Sequence, residues 1–362
     1  MLGWFNRKER WLGIDIGDSS VKLIELDRKG PEFRVAAMAV EPLPQGAMAD
    51  RSPADLDQVS AAVKRALKIS GSRLKKAAIA VPTSSIITRT IAMPAGLNET
   101  ELAAGVLVEA APLIPFPLAE TYLDFQVQGQ SRNNPATEDV MVVACRKENV
   151  DLRREAVNDA GLKTAVVDVE AYALENTCRL LSRWPVHGDD DNDEPQPGVS
   201  PPLALVDMGA VVTTLYILQD TRVTYAREQN FGTDQLTLAI AAAYDWPRRQ
   251  AELAGRAGEL PAGFETELLS PFRKSAAEQI GRMLQFFFSS SPVSTVERIL
   301  LVGGGALTAD LDQAVAGHTG IPTAIGDPFA FAGGAALVNR PRLAREAPLF
   351  AVACGLALRS LD

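Results

Sequence analysis

The chain opens each of its halves with the same short phrase. The first copy is Gly13-Ile14-Asp15-Ile16-Gly17-Asp18-Ser19-Ser20-Val21-Lys22, and the second is Val206-Asp207-Met208-Gly209-Ala210-Val211-Val212-Thr213-Thr214. Each is an apolar strand ending in Asp-x-Gly, then a small or polar turn, then a second strand-forming run. A third loop, Leu301-Val302-Gly303-Gly304-Gly305-Ala306, follows a strand late in the second half.

These loops suit a nucleotide. Glycine lets a backbone approach a phosphate without a Cβ in the way, and turn N–H groups can form an anion nest. An aspartate beside them can hold Mg2+ through waters, because that ion dehydrates reluctantly. Asp15 and Asp207 are the candidates for this role. Gly17, Asp18, Ser19, Ser20, Gly209, Ala210 and Thr213 line the two turns, and Lys22 brings a point charge. Gly303, Gly304 and Gly305 can lie against a nucleoside or its first phosphate. Each loop alone is an ordinary turn signal, since Asp caps turns and Gly turns the chain. Their order along the chain makes coincidence the weaker explanation.

Other features bound the function. A length of 362 residues fits two or more domains of ordinary size. The net charge of −9 argues against nucleic acid as a partner. Three scattered cysteines, with two histidines and no CxxC, leave little for a zinc site and suit a reducing cytoplasm. No apolar stretch reaches the roughly 18 residues a membrane span needs, and no secretory signal is visible. The Trp4, Phe5, Arg7, Lys8, Arg10 and Trp11 cluster reads as a packed or frayed terminus.

Periodicity predicts helices over 55–70, 98–111, 149–160, 170–183, 233–244 and 271–288. The acidic, Pro/Gly-rich stretch at 185–202 reads as a flexible surface linker.

The three loops together resemble the phosphate-1, phosphate-2 and adenosine motifs of the superfamily of actin, sugar kinases and heat-shock chaperone ATPases. The resemblance implies an α/β, actin-like (ribonuclease H-like, duplicated) ATPase fold: two lobes with Mg-ATP between them. It makes Asp15 and Asp207 the Mg2+-organising pair, with Lys22 and the turn residues on the phosphates and Gly303 to Gly305 on the adenosine. In that superfamily the region connecting the lobes orients the catalytic water. Here that region holds Asp168 and Glu170, which have the alternative of capping the helix that starts there.

Several segments narrow the resemblance to the PilM family of type IV pilus assembly proteins, on the FtsA-like branch. They are the opening loop, Glu109-Ala110-Ala111-Pro112-Leu113-Ile114-Pro115-Phe116-Pro117-Leu118-Ala119-Glu120, Asp124-Phe125-Gln126, Asn230-Phe231-Gly232-Thr233-Asp234-Gln235, Leu284-Gln285-Phe286-Phe287, and Ala353 to Arg359. Asp18 stands where Ser is commoner. By this resemblance, 1–82 with 166–184 and 341–362 forms subdomain 1A, and 83–165 an FtsA/PilM-type inserted subdomain 1C. Likewise 203–235 with 296–340 forms 2A, and 236–295 forms 2B.

It further implies a cytoplasmic protein, held peripherally at the inner membrane by a partner. That partner is the N-terminal peptide of PilN, and through it other inner-membrane assembly proteins. Any ATPase activity is expected to be slow at most, and homo-oligomerisation stays open. The alternatives within the fold are a small-molecule phosphotransferase and a filament former like FtsA or MreB.

Overall fold

The computed structural model describes residues 9–29, 32–131, 134–181, 201–257, 261–330 and 340–361. The acidic linker lies outside the described residues except for Pro201 and Pro202, as do Trp4, Phe5, Arg7 and Lys8 of the N-terminal cluster.

Lobe I starts with β1 (Leu12–Ile16), β2 (Ser20–Lys29), β3 (Glu32–Pro42) and two short strands, β4 (Met48–Ala49) and β5 (Ser52–Pro53). Helix α1 (Leu56–Ser70) and β6 (Lys76–Val81) follow. Asp55 caps α1 by accepting from the Gln58 N–H, a contact typically worth about 1 kcal/mol. Gly71 closes the helix in the left-handed region at φ 68°.

Next come β7 (Ile86–Pro94), α2 (Glu99–Ala110), β8 (Thr121–Gln130) and β9 (Thr137–Arg146), which form a separate three-stranded sheet in the order β7-β9-β8. Asn98 and Glu101 make the reciprocal capping box at the start of α2 that their spacing predicted. The chain then returns through α3 (Lys147–Asp159), β10 (Lys163–Val169) and α4 (Glu170–Leu181).

Lobe II contains β11 (Leu203–Met208), β12 (Thr213–Gln219), β13 (Arg222–Gln229), α5 (Asp234–Tyr244), α6 (Arg248–Ala257) and α7 (Ser270–Ser290). After these come β14 (Ile299–Val302), α8 (Leu311–Thr319) and β15 (Thr323–Ile325). Helices α9 (Arg340–Glu346) and α10 (Ala351–Leu358) then lead back to lobe I. The hydrophobic pattern does not mark β13, α6 or the elements after β14.

The two main sheets repeat one plan. Their orders are β3-β2-β1-β6-β10 and β13-β12-β11-β14-β15. In each, the three strands of the opening meander are antiparallel and the last two joins are parallel.

Strand alternation decides which way each aspartate points. Along β1, Leu12, Ile14 and Ile16 pack under α1 and α3, so Gly13 and Asp15 face the opposite side. Along β11, Ala204, Val206 and Met208 pack with α7, while Leu205 joins a core shared with lobe I. That shared core includes Ala173, Leu174 and Leu181 of α4, Val352 and Leu356 of α10, and Tyr216 and Leu300 of lobe II. Asp15 and Asp207 therefore sit at the strand ends just beyond the layer joining the lobes.

Two glycines set that layer's thickness. A Cβ on Gly13 would lie 1.9 Å from the Ala353 carbonyl oxygen, and one on Gly355 would lie 1.7 Å from that of Ala173. Helix α10 thus touches β1 and α4 backbone to backbone.

Candidate functional site

The two opening turns are superposable in their bonding. The Gly17 N–H donates to Ser20 O at 3.1 Å, and the Gly209 N–H donates to Val212 O at 2.9 Å. The ladders continue identically: Asp15 pairs with Lys22 and Asp207 with Thr214.

In lobe I the Lys22 Nζ lies 3.0 Å from Asp15 Oδ2. Burial works against the charge of Lys22, but Asp15, Asp207 and Asp18 outweigh it and hold the amine above its ordinary pKa. Burial likewise pushes the Asp18 carboxyl up, against the pull of Arg51 and Lys22.

In lobe II burial, reinforced by the negative charge of Asp15, pushes Asp207 up to about 6. Gly303 stands directly over it: with φ 80°, its missing Cβ would fall 2.2 Å from Asp207 Oδ1. A Cβ on Gly305 would collide with the Met208 side chain at 2.1 Å, whereas one on Gly304 would meet only Leu349 Cδ2 at 3.8 Å. Close packing against β11 thus requires Gly303 and Gly305, and Gly304 has open space beside it. The triple glycine leads into a short 3-10 turn, Gly304–Leu307.

The second turn is seated on the start of α5. Its Gly209 and Ala210 carbonyls accept from the Thr233 and Asp234 N–H groups at 3.1 and 2.8 Å. Gly232 permits this approach, since a Cβ there would lie 2.3 Å from Ala210 O. Thr213, a candidate phosphate contact, is fully buried and donates its hydroxyl to Phe231 O at 2.7 Å. Its position therefore serves the turn itself. Ser20 is also buried, and the Ser19 carbonyl accepts from the Leu43 N–H at 2.9 Å.

The structure separates the two candidate water-orienting carboxylates. Asp168 pairs with Arg359 near the end of the chain, with Oδ2 2.5 Å from Nη1. Glu170 instead joins the aspartate cluster. Burial pushes its carboxyl up to about 7 against the opposing charge of Arg51, and Asp15 and Asp207 add to the rise.

Sequence reasoning missed three members of this cluster. Arg51, in the turn between β4 and β5, donates from Nη2 to both Glu170 oxygens at 2.7 and 2.9 Å. Its Nη1 reaches Glu228 Oε1 of β13 at 2.5 Å. Arg153 of α3, only 2% exposed, donates to the Arg51 carbonyl and to Asn149 O. Only the pairing of Glu228 with Thr214 in the ladder could have placed it near Asp207, and that requires knowing the register.

Arg273, at the start of α7, pairs with Glu265 and Asp310.

The cluster fits a metal-bound phosphate chain. Asp15, Asp18, Glu170, Asp207 and Glu228 face the cations Lys22, Arg51 and Arg153, so carboxylates are in excess. An anion entering here is favoured by a divalent cation at its side. Asp15 and Asp207 offer hard oxygen donors for such a cation. Among the described residues, no three His, Cys, Asp or Glu side chains converge at metal-ligand spacing.

The solved structures agree on the fold. This chain is 26% identical to PilM in the structure of a PilM–PilN type IV pilus biogenesis complex. The match covers 98% of this chain and 99% of that one, with a TM-score of 0.77. The ethanolamine utilization protein EutJ from Carboxydothermus hydrogenoformans shares 14% identity over 96% of this chain and 89% of its own, at TM-score 0.53. MreB5 of Spiroplasma citri, solved bound to ADP, shares 12% identity over 96% and 95%, at TM-score 0.50. The last two show the actin-like fold alone. The family model for type IV pilus assembly protein PilM matches residues 13–361, and this chain belongs to that family.

Proposed function

We propose that this chain is an actin-like scaffold of type IV pilus assembly that binds Mg-ATP between its lobes and docks the N-terminal cytoplasmic peptide of a PilN partner. The observation carrying this reading is the full-length match to the chain of a PilM–PilN complex.

In the cleft, Lys22 and the turns at Gly17–Ser20 and Gly209–Val212 would hold the phosphates, and Asp15 and Asp207 the Mg2+ through waters. Gly303, Gly304 and Gly305 would border the adenosine, with Gly304 the freest to approach it. Glu170, which lies within the aspartate cluster, would be the carboxylate that orients water. Bound Mg-ATP supplies a charge bridge between lobes, so its affinity differs between open and closed arrangements, and that difference is what a partner can read. Among the described residues no helix is long and apolar enough to cross a membrane. Attachment to the inner membrane would come through the partner.

The test is a fluorescence titration of a labelled PilN N-terminal peptide, with and without Mg-ATP. Saturable binding whose affinity shifts on adding Mg-ATP is expected, within the range of about 5- to 150-fold typical of coupled sites. Absence of binding in both conditions would remove the scaffold reading.

A further inference from the structure

Arg51 is set in the cleft by the tight hairpin turn between β4 and β5. It and Asp50 are successive non-glycine residues in the left-handed region, at φ 59° and 47°. This is the conformation of a two-residue β-hairpin turn, and Asp220 and Thr221 adopt it between β12 and β13. Here the β4–β5 pairing brackets the turn, and buried Arg153 donates to the Arg51 carbonyl. With the backbone so held, the guanidinium is fixed by its contacts with both Glu170 oxygens.

Its partners come from different bodies. Glu170 begins α4 at the end of the lobe I strand β10, and Glu228 lies on β13 of lobe II. Glu228 is opposite Thr214, which is itself opposite Asp207, so the pair sits at the aspartate end of the cleft. Among the described residues, other polar ties between the lobes include Thr83 with Tyr216 and Glu175 with the Val223 N–H and Arg222, which lie beside the shared apolar core, and the Gly303 N–H with Pro348 O. Opening the cleft around that core would stretch the Arg51–Glu228 contact. An arginine fork can hold two carboxylates at once in fixed geometry, and a lysine ammonium cannot pre-organise this.

We propose that Arg51 is the positioning residue of the cleft: by holding Glu170 and Glu228 together, it makes the aim of the Glu170 carboxylate and the closure of lobe II one event, and so gates escape of a bound nucleotide. The gating clause rests on the nucleotide reading above; the lobe-closing clause does not.

The experiment uses the full chain carrying Lys68→Cys on α1 and Arg282→Cys on α7, labelled as a donor–acceptor pair. Both sites are exposed, and the native Cys145, Cys178 and Cys354 are buried. Without nucleotide, Arg51→Met is expected to lengthen and broaden the lobe-to-lobe distance, and Glu228→Gln to do the same. Combining them should add nothing further, because each breaks the same contact. Release of a fluorescent Mg-ADP analogue should speed up about tenfold in both variants, as expected for loss of a partly buried charge pair. Arg51→Lys should restore neither readout fully.

Unchanged distance in folded Arg51→Met and Glu228→Gln, or additive effects of the two, would overturn the proposal. If the parent protein binds no nucleotide, the release arm fails with the nucleotide reading while the distance arm still decides the latch. If Arg51→Met does not fold, Glu228→Gln alone decides it.

Discussion

In lobe I, Asp15 faces Lys22 across the ladder, amine and carboxylate 3.0 Å apart. In lobe II the same two ladder positions hold Asp207 and Thr214, and the cross-strand cation is absent there. The backbones of the two turns share their register and their closing hydrogen bond. Their charges do not match, and burial pushes the second aspartate up to about 6. Duplication has preserved the turn that presents an aspartate and N–H groups to the cleft. The side chain opposite the aspartate decides whether that carboxylate arrives neutralised or as a buried charge awaiting a cation.

Four substitutions sharpen or break this contrast. The largest effect is expected for Asp15→Asn. It leaves the Lys22 amine, whose side chain is 14% exposed, without its nearest partner. Loss of about 3 kcal/mol is expected in urea unfolding, as for other broken buried pairs. A neutral or stabilising result would mean that Asp18 and Asp207 satisfy Lys22 unaided.

Next are the equivalent glycines. A Cβ on Gly209 would lie 2.9 Å from the Val212 carbonyl oxygen, which the backbone fixes. On Gly17 the near atom is the Lys22 amine at 2.7 Å, the far end of a flexible side chain. Gly209→Ala should cost about 2 kcal/mol and Gly17→Ala under about 1 kcal/mol by the same unfolding assay. Equal costs would show that the turns differ less in packing than their contacts indicate.

An effect of opposite sign to the first is expected for Asp207→Asn in the nucleotide-free protein. Above a pH of about 6 the Asp207 carboxylate is charged both folded and unfolded, and burying it destabilises the fold. As pH falls through about 6 the folded protein takes up a proton that the unfolded chain does not, so stability rises. Glu170, raised to about 7, acts in the same direction. Asp207→Asn should therefore be more stable than the parent by about 1 kcal/mol at mildly alkaline pH. That advantage should shrink on acidification toward the unfolded aspartate value. Stability curves that stay parallel across this range would show that Asp207 titrates as an ordinary surface acid.

The sequence made some of this legible because the signals are local. The Asn98–Glu101 spacing announced its capping box, and Asp55 and Gly71 marked both ends of α1. Asp-x-Gly after an apolar run announced both hairpins. Local signals were weaker where a residue's use depends on its surroundings. The Thr213 hydroxyl donates to Phe231 O, and Asp168 and Glu170, two residues apart in sequence, pair with Arg359 and Arg51 respectively.

What the sequence determined by itself is the pair of aspartate-bearing turns, their order along the chain and the alternation that points each aspartate away from its lobe's own core. Only the tertiary structure decided what surrounds them. Arg51 meets Glu170 across a separation of 119 residues and Glu228 across 177, and no spacing rule reaches that far. Likewise Gly13 and Gly355 read as unremarkable glycines until α10 lies on β1 and α4, where a single methyl group would strike a carbonyl oxygen. Charge pairing and close packing act over a few ångströms of space, and distance in space is what folding sets and sequence distance does not.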